Sequence, residues 1–352
     1  MFPSLAAFQS RAKALRASSA RLNVWRGQEA AAFVSPRYEV DPFNRAVLSW
    51  NTTGDALFEL EVDGRWHIMG QWSAEPRSVK TGDVDVDTLV LKVPARSFRF
   101  RVTPQKGAMV TLVAIAHWTQ GEKNSLTNAP SAAWGKTLSV PLRSQSEGGI
   151  ETARICSPTA LSMVLESYGI NKPTKEVALG VYDRAEKIYG NWPFNTAYAH
   201  QVSGLESYIQ RFMGLEDLER EIAEGRPVII SVKWRDGDLD NAPIAKTDGH
   251  VLVVVGFTAE GDVIVNDPAA RSGGVRRVYK REQVYKIWLE RASGVAYILS
   301  SSGVEWSLVS GIHVRGVFKR SGCSGHPFPP SWQCNAAAYG AQKSTACAGL
   351  IS

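Results

Sequence analysis

The hydrophobic period of this chain changes across one polar stretch, Thr119–Lys136 (TQGEKNSLTNAPSAAWGK). Before it, over residues 23–118, short apolar–polar alternations recur at Ala46–Trp50, Leu57–Val62, Leu89–Val93, Phe98–Val102 and Val110–Ala114. Turn signals such as Asn51-Thr52-Thr53-Gly54 and Asp63-Gly64 separate them. A period of two puts alternate side chains on one face of a strand, and strands so spaced, with no helical stretch between them, predict an all-β sandwich. After the polar stretch, over residues 137–300, the pattern mixes two periods. Helices are expected at about Pro158–Tyr168 (stopped by Gly169), Leu215–Glu224 (stopped by Gly225) and Arg281–Leu289. Strands are expected at Pro227–Lys233, Val251–Phe257, Asp262–Val265 and Val295–Leu299. The segment 119–136, rich in Gly, Pro and Ser, reads as a linker. The fold class expected is therefore α+β, an all-β sandwich followed by a mixed body.

The two ends read differently. Residues 1–22 hold four basic residues and no acid, and Arg11, Lys13 and Arg16 interrupt the apolar stretch that a secretory signal needs. This basic segment is expected to be poorly ordered, with no signal peptide. Residues 301–352 lose hydrophobic periodicity to Gly, Ser, Ala, Pro and Cys, and are likewise expected to be disordered. Cys323, Cys334 and Cys347 all fall there, at spacings that fit no paired zinc-ligand pattern, so neither a metal nor a cofactor is expected. A net charge of +6 first suggests a nucleic-acid partner. The first 22 residues carry four uncompensated bases, and the tail carries four against Glu305 alone, which leaves residues 23–300 close to neutral. A nucleic-acid partner is thus excluded. The longest apolar run, Val251–Phe257, has the length of a strand, so no membrane span is expected.

Tryptophans 25, 50, 66, 72 and 118 concentrate in or beside the expected sandwich. They could form a carbohydrate-stacking face or simply fill a thin core; the second reading is preferred. The alternating triplets Asp83, Asp85, Asp87 and Asp236, Asp238, Asp240 read as solvated acidic turns. A calcium loop starting at Asp236 would need Gly and Glu where Asn241 and Thr247 stand.

Cys156 is the only cysteine between residues 1 and 322, and it directly precedes a helix whose Pro158 suits the first turn. There the helix dipole and free N–H groups stabilise a thiolate. The alternative is an inert buried cysteine. A nucleophilic thiol needs an imidazole partner and a group to orient the ring. His250 opens the run Val251–Val255 and so stands at the start of a central strand, whereas His200 reads as a surface residue. Asp267, in Asn266-Asp267-Pro268, is one candidate orienter. If Glu260-Gly261 closes a two-residue turn, Asp267 falls opposite Val254, about four residues or ~13 Å short of His250, and a bulge or a curl of the chain must close the gap. Asp248 is a rival nearer in sequence. Acyl transfer also needs oxyanion donors, for which the Cys156 N–H and the side-chain amide of Gln145 are candidates.

Gln145, the run Cys156-Ser157-Pro158-Thr159-Ala160, Gly249-His250 with its apolar strand, and Asn266-Asp267-Pro268 together resemble the C39-like peptidase family, a bacterial group of papain-like cysteine peptidases. The resemblance spans about residues 137–300, including Gly225-Arg226-Pro227-Val228 and Tyr189–Tyr198, and such proteins often carry an N-terminal β-rich domain. It implies a papain-like cysteine peptidase domain with Cys156 as nucleophile, His250 as general base and acid, Asp267 as orienter and Gln145 as oxyanion donor. It further implies a peptide or protein substrate, cell-wall peptide included, and an extracellular or cell-envelope location. Trp192, Phe194 and Trp234 are candidates to line the substrate cleft, with a place in the core as the equal alternative. Two features depart from the family: Ser157 stands where Gly is usual, and ten residues separate Gln145 from Cys156, so their loop must fold back. The transport-coupled role is not supported, since no G-x-x-x-x-G-K-[ST] loop is present. An amidase or acyl transferase with the same triad, and a non-catalytic glycan- or peptide-binding protein, are the competing readings.

Overall fold

The computed structural model describes residues 19–23, 32–80, 82–105, 107–150, 154–301, 306–309 and 312–315, the first and the last two of these as backbone only. The strands of the N-terminal part are β1 (Ser19–Asn23), β2 (Phe33–Val34), β3 (Tyr38–Thr52), β4 (Ala56–Val62), β5 (Arg65–Trp72), β6 (Val84–Asp85), β7 (Thr88–Pro104) and β8 (Val110–Trp118). Then come β9 (Glu206–Arg211), β10 (Val228–Trp234), β11 (Thr247–Phe257), β12 (Val263–Asn266), β13 (Arg276–Tyr279), β14 (Val295–Ser300), β15 (Trp306–Val309) and β16 (Ile312–Arg315). The helices are α1 (Cys156–Ser167), α2 (Thr174–Val181), α3 (Trp192–Ser203), α4 (Leu215–Ala223) and α5 (Arg281–Val284), the last running into a π turn at Tyr285–Glu290. The whole is a mixed α and β fold dominated by sheets.

The first sheet runs β15-β16-β1-β8-β3-β7-β4-β5, with β2 and β6 also paired to β7. Strand β7 changes its long partner along its length: it pairs with β3 from Thr88 to Phe98 and with β4 from Arg99 to Pro104. The rings of Trp50 on β3 and Phe58 on β4 stack at 4.1 Å, although these strands are not neighbours in the sheet. Trp50, Trp72 and Trp118 are buried, and the half-buried Trp66 carries the Arg101 guanidinium 4.3 Å over its ring. These tryptophans are core and cation-stacked residues, and Trp25 lies outside the described residues. Parts of both terminal segments expected to be poorly ordered are strands: β1 pairs with the edge of β8, and β16 and β15 follow. An open edge presents a row of unpaired N–H and C=O groups, which added strands satisfy. The rest of 1–22 and of 301–352, with the three tail cysteines, lies outside the described residues.

The second sheet runs β13-β12-β11-β10-β14-β9. Both of its faces are covered, which is why Val251–Val255 is uninterruptedly apolar. Ile229, Val251, Val253, Val255 and Tyr297 face a core shared with α1 and with the first sheet, while Val228, Ile230, Leu252, Val254 and Ile298 face α4 and the C-terminal helices. Helix α4 meets that face with Leu215, Leu218 and Ile222, at the spacing of one helical stripe. Helices α2 and α3 and strands β9 and β13 were not foreseen from the sequence. The signals for α3 are present nonetheless: Asn191 Oδ1 accepts the Phe194 N–H at 3.2 Å, Pro193 occupies the first turn, and Gly204 closes the helix at φ 71°.

Both sheets belong to one compact unit that ends at Gly316. The seam between them is built by side chains of β3. Asn51 Nδ2 donates to Ser207 O at 2.6 Å while Ser207 N donates back to Asn51 Oδ1 at 3.1 Å, and Ile209 N donates to Ser49 Oγ at 3.0 Å. The edge of β9 is thereby closed by side chains. The connection 119–136 is pinned rather than loose: Trp134 Nε1 donates to Glu219 at 2.9 Å and Lys136 Nζ to Ala223 O at 2.7 Å. It ends across β11, where Leu138 N bonds Val255 O at 2.7 Å. Only glycine fits at position 256, because a Cβ there would lie 2.2 Å from Lys136 O.

Candidate active site

Helix α1 is buried from Ser157 to Leu165, so its axis is fixed by contacts on every side. Its start is uncapped, since Ile155 offers no side-chain bond to the first turn. The free N–H groups of that turn therefore face the half-buried Cys156 thiol, and Ser157 N–H bonds the sulfur. Val251 N–H and the His250 ring bond it as well, which brings the β11 strand to the helix start.

His250 Nε2 lies 2.8 Å from Asp267 Oδ1, which leaves Nδ1 as the ring nitrogen for the sulfur. Register halves the separation expected between these two residues, and their side chains span the rest. The turn after β11 is wider than two residues, since Phe257 pairs with Val263. A further one-residue shift between Val254 and Gly256 leaves Asn266 opposite Val253, so Asp267 comes level with Leu252 rather than Val254. Asp267 is fully buried, accepts Ala269 N–H at 3.0 Å on Oδ1 and the Tyr279 hydroxyl at 2.8 Å on Oδ2. Asp248, the rival, is exposed. His200 is only half-buried and bonds Leu205 O at 2.8 Å.

Burial pushes the Cys156 thiol up, but the hydrogen bond and positive charge of His250, with the Val251 and Ser157 N–H groups, bring it below its ordinary value. Burial opposes a charged His250, yet hydrogen bonds to Asp267 and Cys156 and their negative charges hold it above the usual imidazole range. Burial also opposes an ionised Asp267, and the His250 and Tyr279 bonds overcome it. All three shifts favour a thiolate–imidazolium pair backed by a carboxylate.

Gln145 opens a 3₁₀ turn at Gln145–Glu147. Gln145 N bonds Pro268 O at 2.8 Å and Ser144 Oγ bonds Ala270 O at 2.6 Å, so the turn is stitched to the loop that follows Asp267. Its Oε1 is buried without a hydrogen-bond partner among the described residues. The chain folds back toward Cys156 at Gly148, where a Cβ would sit 2.2 Å from Ile155 Cδ1. Ser157 neither caps α1 nor narrows a cleft: it is 1% exposed, and its Oγ donates to Asn195 Oδ1 at 3.0 Å. Two of the three cleft candidates require correction. Phe194 is fully buried between Trp50 (6.2 Å) and Trp72 (5.9 Å), because the seam with the first sheet covers α3. Trp234 is 2% exposed and packs edge-on against His250 at 5.5 Å, shielding the ring instead of meeting substrate. Trp192 is half-buried. Two of the expected solvated acids are also buried: Asp87 bonds Trp192 N at 2.8 Å, and Asp238 pairs with Lys286 and Arg291, both at 2.8 Å. Sequence reasoning missed Tyr279, Asn195 and the shielding role of Trp234. Among the described residues no group of three or more potential ligands could hold a metal.

A thiol at a helix start, bonded to an imidazole that a buried carboxylate holds, is the arrangement cysteine peptidases use as a class. Residues 137–295, somewhat less than half of the chain, match the profile described as the Peptidase_C39 like family. Among solved structures, one described as a C39-like peptidase from Bacillus anthracis is 16% identical, aligning over 48% of this chain and 100% of that one with a TM-score of 0.38. Another, a double glycine motif protease from an AMS/PCAT transporter in complex with the leader peptide, is 20% identical over 47% and 94%, with a TM-score of 0.32. No curated protein matches the chain.

Proposed function

We propose that the chain is a cysteine peptidase that hydrolyses a peptide or amide bond, with Cys156 as nucleophile, His250 as acid and base, Asp267 as orienter and Gln145 as oxyanion donor, in a papain-like domain preceded by a β-sandwich. The observation that carries this reading is the line from Cys156 through His250 to Asp267, whose final hydrogen bond measures 2.8 Å. The Cys156 thiolate adds to the substrate carbonyl, and the oxyanion that forms is met by the Gln145 amide and the Cys156 N–H. The His250 imidazolium gives its proton to the leaving amine as the C–N bond breaks. The neutral ring then takes a proton from water, the resulting hydroxide adds to the acyl-enzyme, and the thiolate leaves. Asp267 stays ionised and holds the ring. The glycan-binding alternative finds no exposed tryptophan platform among the described residues.

Labelling with an electrophilic cysteine probe tests the reading, with the Cys156-containing peptide followed by mass spectrometry in wild type, Cys156→Ala and His250→Ala. Fast labelling at Cys156 that depends on His250, together with hydrolysis of an unstructured protein or a peptidoglycan fragment, is expected. Labelling at Cys156 no faster than a free thiol overturns the mechanism. Transfer to an added amine in place of hydrolysis would make the protein an acyl transferase.

A further inference from the structure

We infer that the first sheet supplies a positioning residue to the proposed nucleophile: Asp87, acting through the first turn of α3 and through Ser157, holds the helix start that carries Cys156. The inference rests on the reading of Cys156 as nucleophile.

Asp87 lies in the two-residue turn between β6 and β7, outside the segment that matches the peptidase family. Its neighbour in the turn, Val86, has φ 59°. A β-branched side chain is strained there, in a position that glycine would occupy without cost. Such strain persists where the surrounding structure demands a particular presentation of the chain. What the turn presents is a carboxylate that is 7% exposed. Oδ2 accepts Trp192 N–H at 2.8 Å and Oδ1 accepts the Thr88 hydroxyl at 3.0 Å. Trp192 N–H is one of the orphan donors of the α3 N-terminus, and Asn191 serves another. The carboxylate thus fixes the first turn of α3 from the first sheet.

That same turn carries Asn195, which is fully buried. Its Nδ2 donates to Tyr189 O at 2.9 Å and Asn191 O at 2.8 Å, and its Oδ1 accepts from Ser157 Oγ. Ser157 Oγ also lies 3.2 Å from the Tyr297 hydroxyl, which senses the charges of both Asp87 and Cys156. Ser157 in turn offers its N–H to the Cys156 sulfur. Hydrogen bonds joined through the Asn191–Trp192 peptide group and the frame of Ser157 therefore lead from the first sheet to a donor beside the thiolate. Burial pushes the Asp87 carboxyl up to about 6, a cost that an amide with the same shape would avoid. The position needs an acceptor for Trp192 N–H more than it needs a charge.

The test is the iodoacetamide alkylation rate of Cys156 in the full chain, followed as a function of pH on the Cys156 peptide, with folding checked by near-UV circular dichroism. Asp87→Ala should slow alkylation at pH 6.5 by about tenfold, the equivalent of one lost hydrogen bond, and move its pH midpoint upward. Asp87→Asn should restore both to within about threefold, since it keeps the acceptor. Folded Asp87→Ala with the wild-type rate and midpoint overturns the inference and leaves Asp87 a purely structural residue. If Asp87→Ala does not fold, Asn195→Ala decides, because it cuts the path while keeping the Asp87–Trp192 bond: an unmoved midpoint overturns the inference. A wild-type Cys156 no more reactive than a free thiol defeats the nucleophile itself, whereas a reactive wild type with indifferent variants defeats only the role of Asp87.

Discussion

Asp267 Oδ1 takes the Nε2 side of His250 at 2.8 Å, in a place where neither residue is more than 4% exposed. This single bond decides which ring nitrogen faces Cys156, and it ties the charge of the ring to a carboxylate that solvent does not screen.

The pH behaviour of the thiol follows. The Cys156 value is lowered and the His250 value raised, so the ion pair fills the interval between them. Alkylation should rise with pH through the lowered thiol value, while hydrolysis should fall again once His250 loses the proton it gives to the leaving group. His250→Ala should move the acid limb up toward an ordinary thiol and slow alkylation at pH 6.5 by roughly 10–100-fold. An acid limb that stays in place in His250→Ala would count against the pair.

Tyr279→Phe removes the hydroxyl that meets Asp267 Oδ2 at 2.8 Å. A buried carboxylate oxygen that loses a donor costs about 1.5–3 kcal/mol. The variant should unfold at lower temperature and show kcat reduced by about tenfold with KM little changed, because the orienter loosens while the substrate surface stays. Steady-state kinetics and thermal unfolding check this, and an unchanged kcat would show that Asp267 is held well enough by His250 and Ala269.

Asn51→Ala should destabilise the whole unit, not the first sheet alone. The amide satisfies both backbone groups of Ser207 on β9, at 2.6 and 3.1 Å. Its loss leaves a buried N–H and a buried C=O unpaired, at a cost of about 2–5 kcal/mol. Urea unfolding should shift to a lower midpoint in a single transition. Two separate transitions would mean that the sheets unfold independently.

Asp87 gives a stability signature of known sign. Its value in the folded chain, about 6, exceeds the 3.8 of a free carboxyl, so the native state binds this proton more tightly than the unfolded chain does. The stabilisation it contributes is present at low pH and is lost as pH rises from about 4 through 6, by roughly 3 kcal/mol at most. Asp87→Asn should therefore be more stable than wild type at pH 8 and equal to it near pH 4. Thermal unfolding of both proteins across that range measures the difference; parallel curves would refute it.

Much of the second body is legible in the residues. Cys156 before Pro158, the stripe of α4 and the apolar run after His250 report local energetics: a helix start, an amphipathic face and a strand covered on both sides. The strands of the first sheet are legible for the same reason, because alternation records which neighbouring side chains share a face. Helix α3 went unread although Asn191, Pro193 and Gly204 mark its ends, since its interior shows no single apolar stripe: Pro193–Ala199 is buried throughout.

By itself, then, the sequence determined the change from an alternating to a mixed pattern at 119–136, the lone cysteine at a helix start and the candidate His250 and Asp267. Tertiary structure alone decided what those residues meet. A wider turn and a one-residue register shift in the β11–β12 pairing together bring Asp267 two residues nearer to His250, and alternation encodes neither. The seam with the first sheet buries Phe194 and Asp87, turning a cleft candidate into core and a solvated acid into a cap on α3. Ser157 points to Asn195 for the same reason: burial and hydrogen-bond partners are set by surfaces far away in sequence, which a local pattern cannot carry.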